Sequence, residues 1–571
     1  MFCGKTNDNS KDNKLLLPIV IITSFLHIKI YKKFKQDRFW IFVVFVGIMF
    51  VLGYKILTYD EDKVYVKWDD DTVGMIINQE LVDIYHSYYK TPINKLPSIR
   101  ELNLDAELIT SIKVLKYLKN LEKLVINAKN IKSLKTLQSL ERLDELVIIH
   151  GDMNTLKYLK KLNVSKLVLE NFNLLSVEPL LEMPNLSKLE IKDSYINDTQ
   201  ALSKLENLTY LSLINVQADS PISLCENGNY EGLYLSNIDI DNFDFLPICK
   251  NLTSLKLEKI NIENGMDIEL PTGLTEVMFK GCGLKNLKQF LTLPNLVSLD
   301  VSDNEILDIN DLSKFNNLKE LSLANNSIHD LKPIKNLKGH IKLNISGIKL
   351  DKNILRLLSK MQFEELYVAN CDLSDLDFLE GHKEIKRLDI SNNSIRDIGI
   401  LKMYRKELAY LNIAWNPIDD LTPLAEWAPY TLLNDKRNAE FPGVEFDITG
   451  IQLEEIEEDK GIRILKEMLF HKLTAKNCGL KNASLVRYQL KIEYLDISNN
   501  PIEDIAGTDN LKFLKEMVAK NTLIDGDKII IFGVLSPSKV YTISSYWKWD
   551  GSKSSFYGRE GKAVMTRVIL K

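Results

Sequence analysis

Residues 388–398 read LDISNNSIRDI, and four other stretches follow the same pattern: 299–309 (LDVSDNEILDI), 321–331 (LSLANNSIHDL), 411–421 (LNIAWNPIDDL) and 495–505 (LDISNNPIEDI). Each is apolar at its first, third, eighth and eleventh residues and carries Asn at the sixth. The leading residue recurs at 102, 124, 146, 167, 189, 211, 233, 255, 277, 299, 321, 343, 366, 388 and 411, then at 473, 495 and 517. Nearly every step is 22 residues, with one of 21 and two of 23. Side chains alternate along a strand, so Leu388 and Ile390 point the same way, and Ile395, Ile398 and Leu401 return to the interior on the far side. One such coil cannot enclose its own apolar residues. Stacked neighbours must do it, and the chain becomes a solenoid with a continuous core column.

The sixth residue turns the chain beneath the strand and must satisfy buried backbone groups there, which Asn does as donor and acceptor together. That ladder position holds Asn304, Asn326, Asn393, Asn416 and Asn500, and it holds Cys282, Cys371 and Cys478, where a small thiol replaces the amide. The first eight units show Glu107, Lys129, Gly151, Phe172, Ser194, Val216, Ile238 and Ile260 instead, which puts the regularity of the N-terminal half in question. Cys249 falls on a core phase, and Cys3 and Cys225 have no periodic explanation. No C-x-x-C occurs, so neither paired nor metal-binding cysteines are expected.

The length of 571 residues exceeds one compact core, but a solenoid grows by addition. A formal net charge of −5 lacks the concentrated basic face of a nucleic-acid binder. Residues 1–38 form a basic tail with one apolar island, 15–28, short for a span and containing Pro18 and His27. Residues 39–57 are apolar but for Lys55, close to the ~20 residues that cross a bilayer, with Trp40 and Tyr54 near the ends. Lys29, Lys32, Lys33, Lys35 and Arg38 precede the segment, which puts the tail in the cytoplasm and the repeats outside. The alternatives are a cleaved secretory signal ending near residue 53, which would leave a secreted protein, and a buried soluble helix. Within the linker 58–98, residues 75–89 have a helical pattern suited to cap the first bare coil.

The 22-residue unit, the loops at 393–398 (NSIRDI) and 500–505 (NPIEDI), and the helical cap resemble the internalin class of bacterial leucine-rich repeat surface proteins over residues 76–525. The resemblance implies an α/β solenoid: a leucine-rich repeat horseshoe with a parallel concave β-sheet and a 3₁₀ or irregular convex side. No L-P-x-T-G sorting signal is found near the C-terminus, so covalent wall attachment is not expected. The repeats run over 99–440 and 472–524. A degenerate unit at Leu433, with Asn438 in the ladder, precedes a break at 441–471, read as a helical insertion with helices at 452–458 and 462–471. It either projects toward a ligand or is a tolerated excursion that rejoins the core through Ile464, Leu465 and Met468. Residues 525–571 read as a small β-rich C-terminal cap with strands at 528–535, 539–549 and 562–570. There Tyr546, Trp547 and Trp549 either grip a sugar or peptide or pack on the end of the solenoid.

No G-x-S-x-G, H-E-x-x-H, phosphate-binding loop or EF-hand loop occurs, and the seven histidines are scattered, so neither an enzyme nor a cofactor site is expected. What remains is a binding surface on the concave strands. Val125, Val147 and Val168 follow one another at the exposed middle position, with Ile149 beside them. Tyr210, Tyr234, Tyr367, Tyr410 and Tyr494 are the candidate anchors for a protein or peptide. β-Branched residues also simply suit strands, which is the plain account of the valines. Three functions compete: a membrane-anchored surface receptor or adhesin, a cell-envelope organiser that binds glycan or another surface protein, and an intracellular scaffold if no membrane segment exists.

Overall fold

The computed structural model describes residues 100–523 apart from short gaps, the longest being 428–442, together with three isolated strands, Tyr65–Lys67, Lys90–Pro92 and Arg567–Ile569. The chain divides into two units, Met1–Tyr65 and Val66–Lys571, and all of the first but Tyr65 is outside the described residues. The segment 39–57 expected to span a membrane, the helical cap expected at 75–89, Leu433, Asn438 and the aromatics at 546–549 lie outside the described residues. Among the described residues no helix is long and apolar enough to cross a membrane.

The second unit is a leucine-rich repeat solenoid. Its strands lie in chain order and pair in parallel, from Glu101–Leu104 through Glu516–Val518 to Arg567–Ile569. Register follows the period. Leu299 pairs with Leu321, and Leu366 pairs with Leu388, which pairs with Leu411. A single bulge between Ile341 and Lys342 absorbs the longer step from Leu343 to Leu366. The return side is built mostly from 3₁₀ turns such as Asn310–Lys314, Lys332–Asn336 and Gly399–Tyr404. A 22-residue coil leaves room for only about one such turn on its convex side, where 3₁₀ geometry is at home in short pieces. Several turns begin on an acidic residue: Asp308, Asp330, Asp397 and Asp420 each accept from the backbone N–H two residues on, at 2.7–2.9 Å.

The ladder residues bond in both directions. The Asn304 amide donates to the carbonyls of Phe279, Val301 and Ser302, and its Oδ1 accepts from the Cys282 and Leu284 N–H groups at 2.8 and 3.1 Å. Asn326, Asn393, Asn416 and Asn500 repeat this set with local variation. At the cysteine rungs the thiol donates: Cys478 Sγ lies 3.2 Å from the Ile448 and Lys476 carbonyls. Burial pushes the Cys282 and Cys371 thiols up to about 11 and that of Cys478 up to about 12, so all three stay neutral hydrogen-bonding groups.

The N-terminal half is regular despite its missing asparagines. Strands Lys123–Asn127, Glu145–Gly151, Lys166–Leu174 and Lys188–Lys192 stay in step. The turning backbone is satisfied by other means. Ser194 Oγ accepts from the Phe172 N–H at 3.0 Å, and a second small parallel ladder joins Asn173 and Leu174 to Tyr195–Ile196 and on to Gln217–Ala218. Strand pairing in the loop does there what side-chain amides do later.

Two sequence readings need correction. The segment 441–471 is not a break in the ladder. It holds the strand Val444–Asp447, with Phe446 between Leu411 and Leu473 in register. The helix is Lys460–Glu467, and Phe470–Thr474 is already the next strand. Ile464, Leu465 and Met468 are buried, and the helix packs against the turns Thr422–Trp427 and Ser484–Val486. The unit was hidden because Phe stands where Leu is expected, at steps of 35 and 27 residues (446 − 411 and 473 − 446). The second correction concerns sulfur. Cys249 is buried in the core as its phase implies, but it is disulfide-bonded, to a partner outside the described residues. Periodicity explains where a residue sits, not what bonds to it.

Candidate interaction surface on the concave sheet

Two residues of each strand leave the core on the sheet face, one on either side of the leading leucine, and pairing stacks each into a column. Val125, Val147 and Val168 are direct neighbours in one column. Val125 and Val147 are half-buried and Val168 is 6% exposed, so the apolar stripe is small. Beside it runs an ion-pair ladder in which Glu145 takes Lys123 at 3.2 Å and Lys166 at 2.8 Å. Burial pushes the Glu145 carboxyl up, but the hydrogen bonds and charges of the two lysines outweigh it and hold the group below its ordinary value.

The five tyrosines fall in three places. Tyr210 and Tyr234 occupy different columns of adjacent strands, Tyr210 beside Gly232. The Tyr210 ring fills the space a side chain at 232 would need: a Cβ there would lie 2.5 Å from it. Tyr234 donates to Glu258, and burial with that hydrogen bond pushes its hydroxyl up to about 12.

Six strand steps further on lies the second group, Tyr367 and Tyr410, with ring centroids 6.4 Å apart. Arg387, which sequence reasoning passed over, joins them. Its guanidinium lies 4.3 Å from the Tyr410 ring centre, and its Nε donates to the Tyr367 hydroxyl at 3.1 Å. Glu445 lies 3.5 Å from the same guanidinium, and Tyr367 donates to Glu365 at 2.7 Å. Burial raises the pKa of both tyrosines. Tyr494 stands apart, three strand steps or about 15 Å beyond Tyr410. The Lys472 ammonium is 5.0 Å from its ring centre. The signal for Arg387 was a cation just before a leading leucine, with Glu365 and Tyr410 at the same position in the two neighbouring strands.

The polar residues that replace valine in the C-terminal half are mostly anchors of the fold. Asp300, Asn344, Asp389, Asn412, Asp447 and Asp496 each accept from the N–H two residues on, at 2.9–3.1 Å, which starts the turn out of the strand. A shallow trough of about 310 Å³ runs toward Tyr367, floored by Met278, Asp300, Ser322 and Asn344. Among the described residues no group of three or more His, Cys, Asp or Glu side chains is placed to hold a metal ion.

No protein-family model matches the chain, and no curated protein matches it. Among solved structures it is similar to an internalin (inlF) from Listeria monocytogenes, at 18% identity over 79% of this chain and 94% of that one, with a TM-score of 0.23. It is also similar to a leucine-rich repeat protein from Leptospira interrogans, at 18% identity over 76% of this chain and 93% of that one, with a TM-score of 0.30. The assignment of the fold rests on this chain's own ladder and sheet.

Proposed function

We propose that this chain is a membrane-anchored cell-surface protein that captures a protein partner on its concave sheet. The observation that carries the reading is the Tyr367–Arg387–Tyr410 cluster. Two half-buried tyrosines and an arginine are held in fixed geometry by Glu365 and Glu445 at the head of a polar trough. Aromatic and arginine side chains whose freedom is already spent lose little entropy on binding, and they dominate the energetics of protein interfaces. The disulfide at Cys249 suits an oxidising compartment outside the cytosol. The sequence of 39–57, with basic residues before it, suits a single span with the repeats outside.

The test is photo-crosslinking on intact cells. A crosslinking residue replaces Ser322 in the trough or, as a control, Lys335 on the convex side. Protein adducts are expected from position 322 alone and should disappear when Tyr367 and Tyr410 are both changed to Ser. Equal yields from both positions, or adducts indifferent to the serines, would refute the reading. Protease shaving of the same cells should release peptides from 99–524; their retention would refute the location.

A further inference from the structure

The residue four after each leading leucine turns the backbone with a positive φ, from His150 through Asn521. It is usually Asn, Asp or Gly, the residues that tolerate the left-handed region. Their side chains form a polar ribbon along the edge of the sheet: Asn237 donates to Asn215, Asn215 to Asp193, Asn325 to Asp303 and Asn521 to Asn499, all at 2.7–2.8 Å. Trp415 interrupts the ribbon at φ 55°. A bulky aromatic in that region costs of order 1–3 kcal/mol, and here it also stays 50% exposed. The next unit accommodates it. Gly450 follows in the column, and a Cβ on Gly450 would lie 2.4 Å from the indole, so the missing side chain leaves room for the ring.

The indole forms one wall of a recess of about 590 Å³ whose other walls are polar: Asn392, Asn412, Asp447, Asn477 and Lys476. At its base lies Thr449, only 8% exposed. The Thr449 hydroxyl is near enough to Asp447 to lower that carboxyl's pKa, yet makes no hydrogen bond of ordinary geometry with the described residues. A buried polar group without a partner is rare and costs about 1–3 kcal/mol.

We infer that this recess is a carbohydrate-binding site, with a neutral sugar ring stacked on Trp415 and its hydroxyls bonded to the surrounding amides, Asp447 and Thr449. A pyranose has one apolar C–H face and a rim of hydroxyls that both donate and accept. The recess offers one flat aromatic wall and, around it, side chains of both hydrogen-bonding senses. A peptide anchor would need an apolar pocket, and beside Trp415 the only apolar side chain in the lining is Ala414. An anion would need an unpaired cation, and Lys476 is already 3.1 Å from Asp496. The recess adjoins the tyrosine–arginine cluster, since Asn412 and Tyr410 both donate to Asp389, but Tyr367, Arg387 and Tyr410 are not in its lining and it does not depend on the function proposed for them.

The experiment applies the full-length chain, in a detergent without a sugar headgroup, to a printed array of neutral oligosaccharides that includes chitin, cellulose and α-glucan fragments. Hits are then measured by calorimetric titration. Trp415→Asn installs the residue type the neighbouring units use at this φ, so the fold is retained, and Thr449→Val removes the orphan hydroxyl. Saturable binding of at least one oligosaccharide is expected, weakened at least tenfold by Trp415→Asn and at least threefold by Thr449→Val, with neither variant lowering the thermal midpoint. Binding by no oligosaccharide, or equal binding by Trp415→Asn, would overturn the inference. So would a Trp415-dependent response confined to an unfolded polypeptide, carboxymethylated lactalbumin, which would mark a peptide groove.

Discussion

Replacing Asn304 by Ala tests the side-chain ladder at a rung that makes its full set of bonds. An amide group offers two N–H donors and one carbonyl acceptor. Asn304 uses both kinds on five backbone groups, three carbonyls and two N–H groups, and is itself 8% exposed. The carbonyls retain a second lone pair, whereas the Cys282 and Leu284 N–H groups have one hydrogen each and are left with no acceptor. Each orphaned buried donor costs about 1–3 kcal/mol, so the substitution should destabilise by about 2–6 kcal/mol. Coils depend chiefly on their neighbours, so the loss should be local first. Hydrogen exchange should accelerate at the amides of Cys282 and Leu284, while those of the N-terminal coils stay protected. Asn304→Cys should cost less, because the Cys282 sulfur one rung earlier accepts from the Ile260 N–H and so replaces part of the lost acceptor. A cost below about 1 kcal/mol in urea unfolding, with unchanged exchange at 282 and 284, would refute the reasoning.

Three further predictions follow from the same structure. Phe446 is 1% exposed and stacks on Phe470 with ring centroids 5.9 Å apart, so Phe446→Ala should cost about 3–5 kcal/mol in urea unfolding; a near-neutral result would mean the strand is not in the ladder. Asp447 has its pKa raised from 3.8, first by burial and then by Asp389. Its contribution to folding is therefore complete below pH 3.8 and lost as pH rises through the folded value, so Asp447→Asn should raise the thermal midpoint at pH 7 and leave it unchanged near pH 3. Cys249→Ser removes the disulfide and should cost about 2–4 kcal/mol, an effect that reducing agent should reproduce in the parent and not in the variant.

The sequence alone determined the repeat, its period and its core, because a coil that cannot cover its own leucines has only stacking as a solution. Leu388, Ile390, Ile395 and Ile398 are all essentially inaccessible, as their spacing implies. Two things escaped a reading by period. Phe446 was missed because pairing tolerates steps of 35 and 27 residues so long as the side chain at the centre is large and apolar. The N-terminal ladder was doubted because backbone pairing at Tyr195–Ile196 can replace a side-chain amide without leaving a motif.

The surface was decided by tertiary structure. Tyr367, Arg387 and Tyr410 are spread over 44 positions (367 to 410, inclusive), and only parallel pairing brings them within bonding distance of one another. The same holds for Trp415 and Gly450, where the gap left by one residue receives the ring of another. Period dictates which side chains are buried, since burial repeats with each coil. Which exposed side chains meet depends on lateral register across coils, and that is set only when the stack closes.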